Sequence, residues 1–338
     1  MIAKRSALAI ISLTTSRKVV FSLCLALCAL SVSALAQANI ISLDFPGSAW
    51  TYAVSINSAG AITGNYSDGI MQHGFLRAPD GTFITVDPVG SSATYSAGIN
   101  SAGAIAGEYY DAGYVPHGFL RAPDGRFTTF DPPGSTLTAP FSLSSVGAIT
   151  GSYADVQHVL HGFLRAPDGS ITTFDPVGSN LTFSVGINGA GTITGSYFDS
   201  ARLYRGFVRS PDGAITTFVA VEGDNTEPLS INSAGEVTGT YGLGNSGNGF
   251  VRAADGTITT FAGIPYSIND AGRITGFYGN SELRIDRGFL RRPDGSFTTF
   301  GVPGVTFMTP LSINAAGAIT GYSQVDSNSN RHGFLLIP

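Results

Sequence analysis

Lysine does not occur beyond residue 18, nor cysteine beyond residue 28. The second absence excludes disulfides and thiolate metal sites from the rest of the chain, so about 300 residues must be held by core burial alone. Tryptophan occurs once, as Trp50, and only 12% of residues are charged. Beyond residue 38 no segment has helical periodicity, and none is long and apolar enough to span a bilayer as a helix. The missing lysine also shapes the charge. Four of the 18 basic residues lie in the first 18 positions, which leaves 14 arginines against 23 acidic residues and a formal charge of −9. Such a surface repels phosphate backbones, so nucleic-acid binding is disfavoured.

Residues 1–38 read as a secretory signal. Lys4, Arg5, Arg17 and Lys18 form a basic leader, an apolar run follows from Val19 to Ala34, and small residues offer cleavage after Ala36 or Ala38. The apolar run is shorter than a spanning helix requires. A retained N-terminal anchor is the alternative, because the leader before the run is long. Leu27 occupies the position where a lipoprotein signal needs a small residue, so Cys28 is not expected to carry lipid.

What the sequence has in abundance is repetition. Gly-Phe-Leu-Arg-Ala-Pro-Asp-Gly begins at Gly74, Gly118 and Gly162; variants begin at Gly206, Gly249 and Gly288, and a truncated copy begins at Gly333. The spacings are 44, 44, 44, 43, 39 and 45 residues. A second motif, Ser-Ile-Asn-Ser-Ala-Gly-Ala-Ile-Thr-Gly from Ser55, recurs at Gly98, Ser142, Gly186, Ser230, Ser267 and Ser312. Each unit holds four short runs with β character, joined in part by tight Asn-Ser-Ala-Gly and Pro-Asp-Gly turns.

Four strands in a unit of about 40–45 residues predict an all-β chain folded as a seven-bladed β-propeller, each blade four antiparallel strands. Residues 39–44 match a fourth run, and the last unit, from His332, has a third run but no fourth. The N-terminal strand is therefore expected to complete the last blade and close the ring, removing open sheet edges. A linear β-solenoid ranks second, since it would not need this offset. With the first run innermost, crowding at the axis explains Ser or Gly before each Ile, and Gly64 and its equivalents mark close approach of a backbone or a Phe ring. The longer, variable loops then share one face, where recognition is expected.

The recurring His-Gly-Phe-Leu segment, with a Thr-Thr-Phe run and Ser-Ile-Asn-x-x-Gly-x-Ile-Thr-Gly, resembles the extracellular HAF repeats. The resemblance covers residues 39–338. This chain has Gly74, Gly118, Gly162 and Gly333 where the family name expects Ala, and Arg205, Asn248 and Arg287 replace the His in three units. What the resemblance implies is an exported bacterial repeat protein without catalytic residues to carry over.

His73, His117, His161 and His332 share one repeat position, which points to blade packing. His158 with His161 is a weak metal pair without a third ligand. Arg77, Arg121, Arg165, Arg209, Arg252 and Arg291 read as a solvated strand face with cross-strand pairing. Asp44, Asp87, Asp131 and Asp175 follow the fourth run, and Asp68, Asp111, Asp155 and Asp199 follow second-run tyrosines. This acidic arc offers Ca²⁺ or a cationic ligand its carboxylates, but turn chemistry explains it better, so no cofactor is expected. Gly242 to Gly247 spells Gly-x-Gly-x-x-Gly, a chance match in a chain with 44 Gly and no βαβ context. Trp50, Tyr110, Tyr114, Phe198 and Tyr204 place aromatic rings in the variable loops beside these acids, as sugar or peptide recognition often uses them.

The candidate ligand-binding residues are thus Trp50, Asp68, Tyr110, Asp111, Tyr114, Asp155, Phe198, Asp199 and Tyr204. They imply an exported, monomeric, non-catalytic module that binds a glycan or an extracellular protein through the variable-loop face. The alternative is a propeller lyase or hydrolase of extracellular polysaccharide, which requires non-repeated acid, base or Tyr groups converging near the axis. A purely structural surface protein is a third reading, and predicts no defined pocket.

Overall fold

The computed structural model describes residues 40–242, 247–280, 285–302, 304–325 and 330–338. The leader with its cleavage sites lies outside them, as does the middle of the Gly242 to Gly247 run. The described residues form seven four-stranded antiparallel sheets, a seven-bladed β-propeller. Blade 1 runs Trp50–Ile56, Ile62–Ser67, Gln72–Arg77 and Phe83–Val86 from the innermost strand outward. Blades 2 to 6 span residues 93–130, 137–174, 181–218, 226–262 and 264–300. Blade 7 takes three strands, Phe307–Ile313, Ile319–Gln324 and His332–Leu336, from the end of the sequence. Its fourth is Ile40–Leu43, paired with Ile40 opposite Leu336 and Leu43 opposite Gly333. The ring is closed as the sequence predicts.

Each blade buries one phenylalanine of its third strand completely: Phe75, Phe119, Phe163, Phe207, Phe250, Phe289 and Phe334. Against each packs a buried residue of the second strand, such as Ile62 or Ile105. A fully buried Phe or Ile is worth roughly 1.5–3 kcal/mol, so this repeated pair is the main stabiliser of each blade. A Cβ on Gly64 would run into the Tyr52 carbonyl and lie 2.8 Å from the Phe75 ring. That position must be glycine.

Hydrogen bonds lock neighbouring blades near the axis. Asn57 Oδ1 accepts the backbone N–H groups of Ala59 and Ala61, which shapes the tight turn. Its Nδ2 donates to the carbonyl of Asn100 in blade 2 at 3.0 Å. Asn100, Asn188, Asn232, Asn269 and Asn314 each repeat this reach to the next blade, and Asn314 returns to Asn57 at 3.0 Å. Ser144 stands in for Asn in blade 3 and is too short to reach onward.

The Ser-or-Gly column has a second cause beside the crowding expected. Ser55, Ser142, Ser230, Ser267 and Ser312 each accept the backbone N–H of an Ile in the next blade, at 3.3–3.4 Å. Gly98 has room for a Cβ, since its nearest neighbour would be Leu143 N at 3.8 Å, whereas at Gly186 a Cβ would lie 3.2 Å from Thr194 and 3.3 Å from Ile231 of the next blade, the crowding expected. The residue just before this column is bulged out of the ladder in every blade, from Val54 in blade 1 to Leu311 in blade 7. These bulged residues and the serines line a channel of about 200 Å³ with no charged side chain in its wall.

The arginine column also differs from expectation. Arg121, Arg165, Arg209 and Arg291 are buried, not solvated. The guanidinium of Arg165 lies 5.1 Å from the centre of Phe130 in the preceding blade, and Arg209, Arg252 and Arg291 repeat the contact. Burial lowers the pKa of Arg121, Arg165, Arg209, Arg252 and Arg291. Arg165, Arg209, Arg252 and Arg291 are cation–π braces between blades.

Candidate functional site

The face that carries the variable loops is organised by carboxylates. In blade 1, Asp68 Oδ1 accepts the N–H groups of Ile70 and Met71, which shapes the loop between the second and third strands. Its Oδ2 lies 3.4 Å from Nε2 of His73, whose Nδ1 is 2.7 Å from Asp87 on the other side. Asp111–His117–Asp131 and Asp155–His161–Asp175 repeat the brace in blades 2 and 3. Blade 4 substitutes an Asp199–Arg205 pair at 2.8 Å, and blade 7 keeps His332 with Asp44 at 3.0 Å.

The brace fixes the protonation of its members. Burial opposes the charged form of His73, but hydrogen bonds and charge from Asp87 and Asp68 override it and raise its pKa. His117 and His161 shift upward for the same reasons. Asp68, Asp111 and Asp155 are lowered, chiefly by backbone N–H groups of their own loops. The turn reading therefore holds for this second aspartate series. It fails for the first, where Asp131 and Asp175 accept from the brace histidine and from Thr138 or Thr182 of the next blade. His158 joins neither: it sits at positive φ at the loop tip, and its backbone N–H bonds Asp155 O. Among the described residues, no group of three or more His, Cys, Asp or Glu is arranged to hold a metal ion.

The expected site residues do not form one site. Asp68, Asp111, Asp155 and Asp199 are loop braces. Tyr114 is 77% exposed at the tip of its loop, with φ of 61°. Phe198 packs on Tyr204 at 5.2 Å, and Tyr204 on Phe183 at 6.0 Å, a separate cluster in blade 4. Tyr110 packs edge-on to Tyr95 at 5.8 Å. Trp50 alone of the nine lines a pocket near the seam where the ring closes.

That pocket, about 420 Å³, spans blades 7, 1 and 2, and is lined by Trp50, Tyr52, Val54, Asn65, Gln72, Tyr95 and Arg331. Trp50 meets Tyr52 edge-on at 4.8 Å, and Tyr52 meets Tyr322 of blade 7 at 4.5 Å. Asn65 forms a fixed wall: its Oδ1 accepts the N–H of Ser96 at 2.7 Å. Gln72 Oε1 is buried without a hydrogen-bond partner among the described residues. Tyr52, Asn65, Gln72, Tyr95 and Arg331 were missed by sequence reasoning. One signal was available. In the register, Tyr52 corresponds to Tyr95, Ala139, Phe183, Glu227, Ile264 and Thr309, and Asn65 to Glu108, Ser152, Ser196, Thr240, Phe277 and Tyr322. These two columns vary freely inside strands that otherwise repeat.

Acids that do not repeat occupy the same columns. Glu108 lies directly across the ladder from Tyr95, and burial raises its pKa to about 7. Asn65 and Ser152 each accept a backbone N–H from the next blade's innermost strand, at Ser96 and Ser184. The residue that Glu108 would meet there is Pro140, which has no N–H to give. Burial also raises Glu227 in blade 5 and Asp286 in blade 6. The three acids stand on different blades, with no hydrogen bond joining them.

No protein-family model matches this sequence, and no curated protein matches it. Solved structures do. The chain is similar to a streptogramin B lyase, at 11% identity and a TM-score of 0.58, over 88% of this chain and 97% of that one. It is similar to a virginiamycin B lyase from Staphylococcus aureus solved with quinupristin, at 11% identity and a TM-score of 0.59, over 88% and 99%. It is also similar to the β-propeller domain of the trilobed protease from Pyrococcus furiosus, at 8% identity and a TM-score of 0.57, over 85% and 95%. That domain is described as having an open velcro topology, whereas here Ile40–Leu43 pairs with the final strand. At these identities the likeness shows a shared β-propeller fold and nothing finer.

Proposed function

We propose that this chain is an exported, non-catalytic recognition propeller that binds a glycan in the pocket spanning blades 7, 1 and 2. The observation that carries the reading is the make-up of that pocket. Trp50, Tyr52 and Tyr95 offer flat apolar rings, and Gln72 and Arg331 offer polar groups beside them. A pyranose presents the matching surface, an apolar C–H face rimmed by hydroxyls. A ligand hydroxyl would also satisfy the orphaned Gln72 acceptor, whose burial is otherwise a net cost. The uncharged channel and the structural employment of the repeated His, Asp and Arg support a binding role over a catalytic one. Export rests on the basic leader and apolar run of residues 1–38, and agrees with the resemblance to HAF repeats.

One observation favours the second reading, a propeller enzyme acting on extracellular polysaccharide. Glu108, with a pKa of about 7, lies across the ladder from Tyr95, which lines the same pocket, and an acid poised near neutrality suits general acid–base chemistry. A single screen separates the two. Purified residues 39–338 are titrated with polysaccharides and oligosaccharides while product release is followed in the same wells. Saturable binding without products is expected, weakened at least about tenfold by Trp50→Ala. Product release that Glu108→Gln abolishes would establish the enzyme instead. Silence across the panel would remove both glycan readings.

A further inference from the structure

Arg331 stands out among the arginines. It belongs to the loop that enters the third strand of blade 7, and its carbonyl accepts the N–H of Thr51 at 2.9 Å. Ring closure therefore fastens it beside the innermost strand of blade 1. Its guanidinium lies 5.1 Å from the centre of Tyr52 and 5.6 Å from that of Tyr322, so its faces are packed against rings. One N–H, at Nε, donates to Gln324 Oε1 at 3.3 Å. The others meet no carboxylate among the described residues; the same holds for the buried arginine column, but Arg331 is the arginine that lines the pocket spanning blades 7, 1 and 2. A chain with 23 acidic residues thus lines this pocket with a cation that none of its own described carboxylates neutralises.

Resting on the glycan reading above, we infer that the pocket takes an acidic saccharide, and that Arg331 reads the carboxylate of a uronic acid residue. Stacking occupies the faces of a guanidinium and leaves its edge free, and that edge offers paired N–H donors matched to the two oxygens of a carboxylate. Trp50 and Tyr52 stand where the sugar ring of the same residue would lie, and Gln72 supplies an acceptor for a hydroxyl. A single cation suits one carboxylate per bound unit. It does not suit sulfated saccharides with several charges per unit, which the formal charge of −9 repels more strongly.

The test is calorimetric titration, at fixed ionic strength, of residues 39–338 with oligogalacturonate, oligomannuronate and oligoglucuronate, each beside its carboxyl-reduced counterpart. The wild-type protein is expected to prefer at least one acid form over its reduced form by about tenfold or more. Arg331→Met keeps much of the apolar stem, and should erase that preference while still binding the reduced form. Arg331→Lys should restore only part of it, since an ammonium lacks the planar fork. Thermal melts of each variant establish that it is folded. Equal binding of acid and reduced forms by the wild type overturns the inference and leaves the glycan reading standing. A preference that survives in Arg331→Met also overturns it. Failure of every probe, acid and reduced, overturns the inference and the glycan reading together.

Discussion

A methyl group at residue 64 would collide with the Tyr52 carbonyl and the Phe75 ring, both fixed by the blade's own ladder. Gly64→Ala is expected to cost about 3 kcal/mol, measured by denaturant unfolding. Glu108 is the opposite case, a residue whose replacement should help. Its carboxyl, ordinarily near 4.5, titrates near 7 in the fold because burial disfavours the charge. Between those values the folded state holds a proton that the unfolded state has released, so stability falls as pH rises through the window. At pH 8 Glu108→Gln should be more stable than wild type by up to about 3 kcal/mol, and at pH 4 the two should melt together. A wild-type advantage at pH 8 would show that the carboxylate has a partner. The sequence announced Gly64 by its sevenfold recurrence but could not announce Glu108. Its character comes from Pro140, contributed by the next blade, and an acid in a β-run looks the same whether or not a donor faces it.

At the scale of the element, the braced loops give the molecule a pH signature. An imidazole that gains carboxylate partners stabilises the fold fully below its unfolded pKa of 6.5, and loses that contribution as pH climbs through its raised folded value. The lowered carboxylates Asp68, Asp111 and Asp155 contribute above their unfolded value of 3.8, and lose it as pH falls through their folded values. With Glu108 replaced by Gln, the melting temperature should therefore be highest between about pH 4 and 6.5, whereas in the wild type the Glu108 window moves the maximum to the acid end of that range. Combined His73→Gln, His117→Gln and His161→Gln should flatten the decline above 6.5 that remains in Glu108→Gln. A second signature lies in the loop tips. Tyr114, His158 and Arg202 all adopt positive φ near 62° at equivalent positions, a conformation that costs side-chain-bearing residues roughly 1 kcal/mol. Tyr114→Gly should raise the melting temperature slightly without altering ligand binding, and a loss of binding would return Tyr114 to the site. Sequence reasoning picked it because exposed aromatics in loops are what recognition uses; at this tip the ring is exposed and is not among the pocket-lining residues.

At the scale of the whole molecule, recurrence made the fold readable, and the same recurrence hid the site. Blade number, strand number and closure all followed from the spacing of repeated glycines and the offset ends. The pocket is built from the columns that do not repeat, and it joins Trp50, near one end of the described chain, to Arg331, near the other. The pairing of Ile40–Leu43 with the last strand brings them together, along with the hydrogen bonds of Asn314 to Asn57, Ile56 to Ser312 and Thr51 to Arg331. Deleting residues 40–43 should therefore lower the melting temperature and weaken the pocket together, a coupling that a self-sufficient first blade would not show. The most direct test of the account uses the fact that Trp50 is the only tryptophan and lines the pocket. Its fluorescence, followed while the oligosaccharides that bind by calorimetry are titrated in, reports occupancy of this pocket and no other. The account predicts a saturable change in Trp50 emission with the same midpoint as the calorimetric curve. Binding that leaves the emission unmoved would place the ligand elsewhere and contradict it.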